Sequence, residues 1–167
     1  MKKLQEIKGI IILAWVLGFL WAYVILSLSG EPASVSRQKS MAITQKVEVV
    51  VEYIEAHTGI AIIDRDNLHH CVRKAAHMLA YFVLALLLLI ALTATGVKGK
   101  WAYLATWAIA FPFSMLDEYY QSFMPGRGPQ VTDVLLDNLG VLSALLLVFF
   151  GQKLLKACQT RNLNKPE

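Results

Sequence analysis

The sequence predicts an all-α, polytopic integral membrane bundle: four transmembrane helices plus an amphipathic segment on the outer surface. Three observations predict it. The chain of 167 residues is 56% hydrophobic and only 17% charged, with a mean hydropathy of +0.51, whereas soluble domains are nearer half apolar and a quarter charged. Four windows are long and apolar enough to approach the roughly 20 residues that a helix needs to cross hydrocarbon. The basic residues gather in groups that alternate with those windows, as loops on one side of a bilayer do. A net charge of +4 could suit nucleic acid, but clustering at the chain ends and in short loops suits lipid headgroups, and no nucleic-acid partner is expected.

The first window, residues 10–28, reads "IIILAWVLGFLWAYVILSL". Lys2, Lys3 and Lys8 precede it as they would a signal peptide, but the apolar run exceeds a signal h-region of about 7–15 residues, so a retained helix is expected. The second covers 72–95, the third 101–120 and the fourth 131–150, all within one membrane domain spanning 1–167. Lys98 and Lys100 separate spans two and three, and Lys153, Lys156, Arg161 and Lys165 follow span four. With four crossings these groups share the cytoplasmic side with both termini. The 29–71 segment and the 121–130 loop then face outward from a bacterial cytoplasmic membrane.

The 29–71 segment opens with "SGEPASVSRQKS", a loop composition. In "MAITQKVEVVVEYIEAHTG" the apolar residues Ile43, Val47, Val50, Val51 and Ile54 recur at mainly helical spacing, with Glu48, Glu52 and Glu55 largely opposite. This predicts a surface helix capped at Gly59; the β-branched run "VEVVVEYI" leaves a strand as the alternative. Cys71 and Cys158 fall on opposite sides of the membrane and are expected as free thiols. The adjacent His69 and His70 read as surface residues, since no second pair with zinc-site spacing exists. Pro112, inside span three, is expected to kink it.

The polar residues gather at one depth. Arg73, His77 and Tyr81 follow at i, i+4 and i+8 in span two, with Lys74 beside them. Ser114, Asp117, Glu118 and Gln121 end span three, while Asp133, Asp137 and Asn138 begin span four. Asp137 lies on the order of 9 Å along its helix from Val131. A charge at the centre of a span costs about 2.5–3.5 kcal/mol on insertion scales. Such groups persist when they face one another or a wet cavity. Arg73, Lys74 and Arg127 are expected to offset the four carboxylates. The "PGRGP" turn, with Pro125, Gly126 and Pro129, carries Arg127, whose planar fork suits phosphate or carboxylate.

Three segments carry a resemblance. "RKAAHMLAY", "DEYYQSFMPGR" and "TDVLLDNLG" are similar, in order and spacing, to the hallmark segments of VanZ-like membrane proteins. "SLSGEPASVS" more loosely resembles that family's Ser-rich stretch after its first helix. Many members carry an acid immediately before the tyrosine, where this chain has Ala80; a role of that acid does not carry over. The founding member is associated with low-level resistance to teicoplanin, a lipid-bearing glycopeptide. The resemblance therefore implies a cell-envelope membrane protein with a link to glycopeptide or lipoglycopeptide resistance.

The expected function is an outward-facing polar site for an anionic lipid or lipid-linked cell-wall precursor headgroup. Membrane lipids, such a precursor, or a lipoglycopeptide are its expected partners. Its ligand-binding candidates are Arg73, Lys74, His77 and Tyr81; Asp117, Glu118, Gln121 and Arg127; and Asp133, Asp137 and Asn138. A second reading is a membrane enzyme acting on a lipid-linked phosphate or sugar, with His77, Asp117 and Glu118 as catalytic candidates for acid–base chemistry or the carboxylates holding a hard cation. No metal or nucleophile motif is complete, and no cofactor is expected. A third reading is a polar cluster that pins helices and holds no ligand, and a transporter or channel element ranks last.

Overall fold

The computed structural model describes residues 2–61, 65–128 and 130–163, and every regular element among them is a helix. In chain order these are α1 (Lys2–Ser29), α2 (Ala33–Thr58), α3 (Arg65–Ala94), α4 (Lys100–Gln121) and α5 (Val131–Leu163). Pro129 of the expected turn and Lys165 of the basic tail lie outside the described residues.

Three helices are long and apolar enough to cross a membrane: Gln5–Ser29, Asn67–Ala94 and Val131–Thr160, with mean hydropathies of 2.5, 2.5 and 2.1. Only 17%, 39% and 33% of their apolar windows are buried by the chain itself. The remaining apolar surface is far more than a water-soluble protein exposes in continuous patches, so lipid is its natural cover. The expected third span, now α4, does not reach this composition. It begins at Lys100, ends with Asp117 and Glu118, and carries Thr106, Pro112 and Ser114 between them.

The seam between α3 and α5 organises the bundle, and the two helices run parallel. Lys74 faces Asp133, His77 faces Asp137, and one turn deeper Gly140 lies against the backbone of Met78. A Cβ at Gly140 would overlap the Met78 carbonyl oxygen and stand 3.0 Å from its carbon. Only a residue without Cβ permits that approach. Deeper still, Tyr81, Leu84, Ala85 and Leu88 pack with Val141, Ala144 and Leu145.

The other helices close on this seam. α4 lies antiparallel to α5, because Ser114 meets Asn138 near one end and Tyr103 meets Gln152 near the other. Ala102, Ala110 and Ala144 are buried in the core, and small side chains let helices approach closely in lipid. α1 runs antiparallel to α3: the Trp21 indole donates to the Ala80 carbonyl at 2.8 Å, and Ser29 reaches Gln121. The C-terminal ends of α1 and α4 thus meet the N-terminal ends of α3 and α5. Pro112 lies within α4 without ending it.

The structure corrects the reading of "SGEPASVSRQKS" as a loop. Helix α2 begins at Ala33, directly after Pro32 at its N-cap, and includes all but the first four residues of that stretch. Ala, Arg, Gln and Lys are good helix formers, and the helix start is anchored from elsewhere, by the Ala33 N–H donating to the Pro125 carbonyl at 3.1 Å. The helix expected over "VEVVVEYI" is observed, and the strand alternative is not. Gly59 ends α2 as expected, in the left-handed region at φ 68° with its N–H on the Glu55 carbonyl. Cys71 and Cys158 are free and exposed.

Gly140→Ala should lower stability in detergent by about 1–3 kcal/mol, the usual cost of overpacking. Gly151→Ala on the same helix, with no other atom near its Cβ position, should be close to neutral. Thermal unfolding of the two variants beside the parent chain measures the difference.

Candidate functional site

At the end of the bundle where α1 and α4 finish and α3 and α5 begin, the polar side chains form a buried nest. Asp117 is fully buried in the penultimate turn of α4. The Tyr81 hydroxyl donates to its Oδ2 at 3.0 Å, and Gln121 Nε2 lies 3.4 Å from the same oxygen while donating to Ser29 Oγ at 3.1 Å. Glu118 turns toward the loop, where Oε1 accepts the Gln130 N–H at 2.6 Å and ties the start of α5 to the end of α4. Asn138 donates to Ser114 Oγ and to the Val134 carbonyl, at 2.9 and 2.8 Å.

The carboxylates on α5 are less completely met. Lys74 Nζ stands 3.8 Å from Asp133 Oδ1, and His77 Nδ1 stands 3.9 Å from Asp137 Oδ1. Both distances exceed hydrogen-bond range. Asp117 Oδ1, Asp133 Oδ1, Asp137 Oδ1 and Asn138 Oδ1 are buried without a hydrogen-bond partner among the described residues. Among the described residues, no group of three or more His, Cys, Asp or Glu side chains is disposed to hold a metal ion.

Beside the nest lies a cavity of about 160 Å³ between α1, α2 and α3. Its apolar wall includes Ile25, Leu28, Ile43, Val72, Ala76 and Ala80. Its polar lining includes Arg73, His77 and Tyr81 from α3, Ser36, Lys39 and Ser40 from α2, and Arg127 from the loop. Ser36, Lys39, Ser40 and Ile43 fall at i, i+3, i+4 and i+7, so one face of α2 closes the cavity. Lys39 is ion-paired with Glu31, another lining residue.

Arg127 is held in an unusual way. Its Nη1 donates to Gln121 Oε1 at 3.0 Å and to the Ser29 carbonyl at 3.3 Å, its Nη2 lies 3.5 Å from the Leu28 carbonyl, and its Nε is buried without a partner. Among the described residues, no carboxylate ion-pairs with it, contrary to the expected offset. Burial first, and then the charge of Arg73, lowers its pKa from the usual value, with Asp117, Glu31 and Glu118 acting in opposition. A guanidinium stays protonated through such shifts. Neutral oxygens thus fix its position, and the carboxylates act on its charge only from beyond ion-pair distance. Gly126 makes the placement possible: its φ of 77° suits glycine, and a Cβ there would crowd Ala33 at 3.2 Å.

The candidate residues therefore separate into two sets. Arg73, His77, Tyr81 and Arg127 line the cavity, whereas Lys74, Asp117, Glu118, Gln121, Asp133, Asp137 and Asn138 lie in the helix interfaces and the loop junction behind it. The residues missed from sequence are Ser29, Glu31, Ser36, Lys39 and Ser40. The Ser-rich run after span one was their signal, with Ser36 and Ser40 one helical turn apart. His69, read as a surface residue, is half-buried with Nε2 at 2.8 Å from Ser40 Oγ.

Tyr81→Phe would keep the ring against Phe113, whose centroid is 6.1 Å away, but remove a donor from buried Asp117. The expected loss is on the order of 1 kcal/mol, read as a lower unfolding temperature in detergent.

No curated protein and no solved structure matches the chain. The family model described as VanZ/LLP1 matches residues 14–152. That range runs from within α1 to within α5 and contains every side chain of the nest and the cavity. The match agrees with the hallmark segments around His77, Arg127 and Asp137, and with three helices apolar enough to span a bilayer. This chain is a multi-pass membrane protein that belongs to the VanZ/LLP1 family.

Proposed function

We propose that the cavity between α1, α2 and α3 is a binding site for the anionic headgroup of a membrane lipid or lipid-linked cell-wall precursor, open to the outer face of the bacterial cytoplasmic membrane. The observation that carries this reading is the pairing of two guanidiniums, Arg73 and Arg127, with an apolar wall in one small cavity. Guanidiniums suit phosphate oxygens, and Ile25, Val72 and Ala80 offer a surface for the first methylenes of an acyl chain. Ala80 matters because it is neutral: an acid there would put a resident anion among the cations.

The orientation rests on a fourth crossing by α4. Its 22 residues span about 33 Å, near the roughly 30 Å of bilayer hydrocarbon, and its packing on α3 and α5 covers the polar side chains that lower its hydropathy. Lys98 and Lys100 then join Lys8, Lys153 and Lys156 on the cytoplasmic side, and α2 lies along the outer surface. The founding member's association with teicoplanin fits a site for lipid-bearing envelope molecules at that surface, and a role in glycopeptide resistance belongs to the same proposal.

Two measurements test this. In intact cells a membrane-impermeant maleimide should label Cys71, while Cys158 should react only after permeabilisation; the reverse pattern would invert the topology. In native mass spectrometry the purified chain should retain anionic phospholipid, and Arg127→Ala or Ala80→Glu should reduce retention at least about tenfold, a loss of about 1.4 kcal/mol. Unchanged retention would favour a polar cluster that only pins helices.

A further inference from the structure

His77 belongs to both halves of the site. Its ring lines the cavity, and its Nδ1 faces the buried carboxylate of Asp137 at 3.9 Å. One turn earlier on α3, Arg73 lines the same cavity, and Arg127 adds a second guanidinium whose charge no carboxylate of the described residues pairs with. A buried acid behind an imidazole, with cations gathered on its far side, is an arrangement for proton transfer to a group that develops negative charge. Binding alone would require the cations but not the dyad.

Resting on the headgroup reading, we propose that this cavity hydrolyses a terminal phosphate ester on a membrane lipid, with His77 as the general base and Asp137 as its positioning residue. Asp137, as an acceptor, favours the tautomer with a proton on Nδ1 and leaves Nε2 free to accept one. At 3.9 Å the contact is longer than a hydrogen bond, and the proposed step requires it to tighten when substrate binds, as catalytic contacts do. Arg73 and Arg127 would hold the non-bridging phosphate oxygens and stabilise their charge in the transition state.

The step balances with water alone. His77 Nε2 takes a proton from a water whose oxygen attacks phosphorus, and the bond from phosphorus to the lipid-side oxygen breaks. That leaving oxygen then receives the proton from the imidazolium. Inorganic phosphate is released, and the lipid keeps a hydroxyl, or one phosphate fewer if it began as a diphosphate.

Size favours a terminal phosphate. The cavity's 160 Å³ is well below the roughly 300–1,000 Å³ that encloses a drug-sized ligand. A phosphate group fits within it, with its lipid extending along the apolar wall and any larger headgroup remaining outside. A glycerolipid phosphomonoester and a polyprenyl diphosphate share the required chemistry.

The test uses the full chain in lipid nanodiscs, supplied separately with phosphatidic acid and with a polyprenyl diphosphate. Phosphate release and lipid retention are measured on the same samples. The parent chain should release phosphate from one of the two, which identifies the source. His77→Gln should lower turnover at least about 100-fold, as loss of a general base does, a far larger change than any in retention. Added imidazole should restore turnover to His77→Ala, which a merely structural histidine would not allow. Asp137→Asn should lower kcat with little change in KM, and Asp137→Glu should recover part of it. Retention of both lipids without phosphate release would overturn the hydrolysis and leave the headgroup site standing. Failure to retain either would overturn both, and turnover that survives His77→Gln would remove His77 from the reaction.

Discussion

The close approach of α3 and α5 at Gly140 governs the arrangement of everything above it. With no side chain at that position, the α5 backbone lies directly on the Met78 carbonyl, and the register of the two parallel helices is set there. One turn up, that register brings Asp137 to His77, and another brings Asp133 to Lys74. One turn down it seals the apolar layer of Tyr81, Val141, Leu84 and Ala144. A glycine a few residues away would place the same carboxylates opposite different side chains. The tight packing and the polar nest are therefore one feature, because helices that touch backbone to backbone leave no room for their facing side chains to choose other partners.

The polar groups divide their work by how they are satisfied. Asp117 and Gln121 are bound into α1 and α3 through Ser29 and Tyr81, and Glu118 closes the turn into α5 through the Gln130 amide. These contacts make α4 integral to the bundle, although its composition falls short of that of the three helices apolar enough to cross a membrane. Arg127 is the contrasting case. Backbone carbonyls of α1 and the Gln121 side chain orient it, and none of them neutralises it. Half-buried at the cavity wall, it has no carboxylate at ion-pair distance among the described residues.

Much of the fold was legible in the sequence, and the misses have physical causes. Apolar length revealed the helices, and Gly59 revealed the end of α2. The start of α2 was obscured because "SGEPASVSRQKS" has the composition of a loop, while its helix is anchored by the Pro125 carbonyl on a segment some ninety residues away. The same long-range placement hid Ser36, Lys39 and Ser40, whose face on α2 becomes informative only when α3 lies beneath it. The polar candidates were recognisable because lipid penalises them individually. Their split into a nest and a cavity was not, since helical spacing tells which residues share a face but not which neighbour that face meets.

The sequence by itself determined that this is a helical membrane protein whose carboxylates within the apolar helices gather at one end, opposite its lysine clusters, because hydropathy and positive charge act segment by segment. It also carried the family, through the spacing of short segments around His77, Arg127 and Asp137. Only the tertiary structure decided that Arg73 and Arg127 face a cavity while Lys74 and most carboxylates lie behind it, that Arg127 is held by neutral oxygens, and that His77 stands between the two sets. Those outcomes depend on helix register and on one missing side chain at Gly140. Packing between segments distant in the chain selects that register, and no local pattern encodes it.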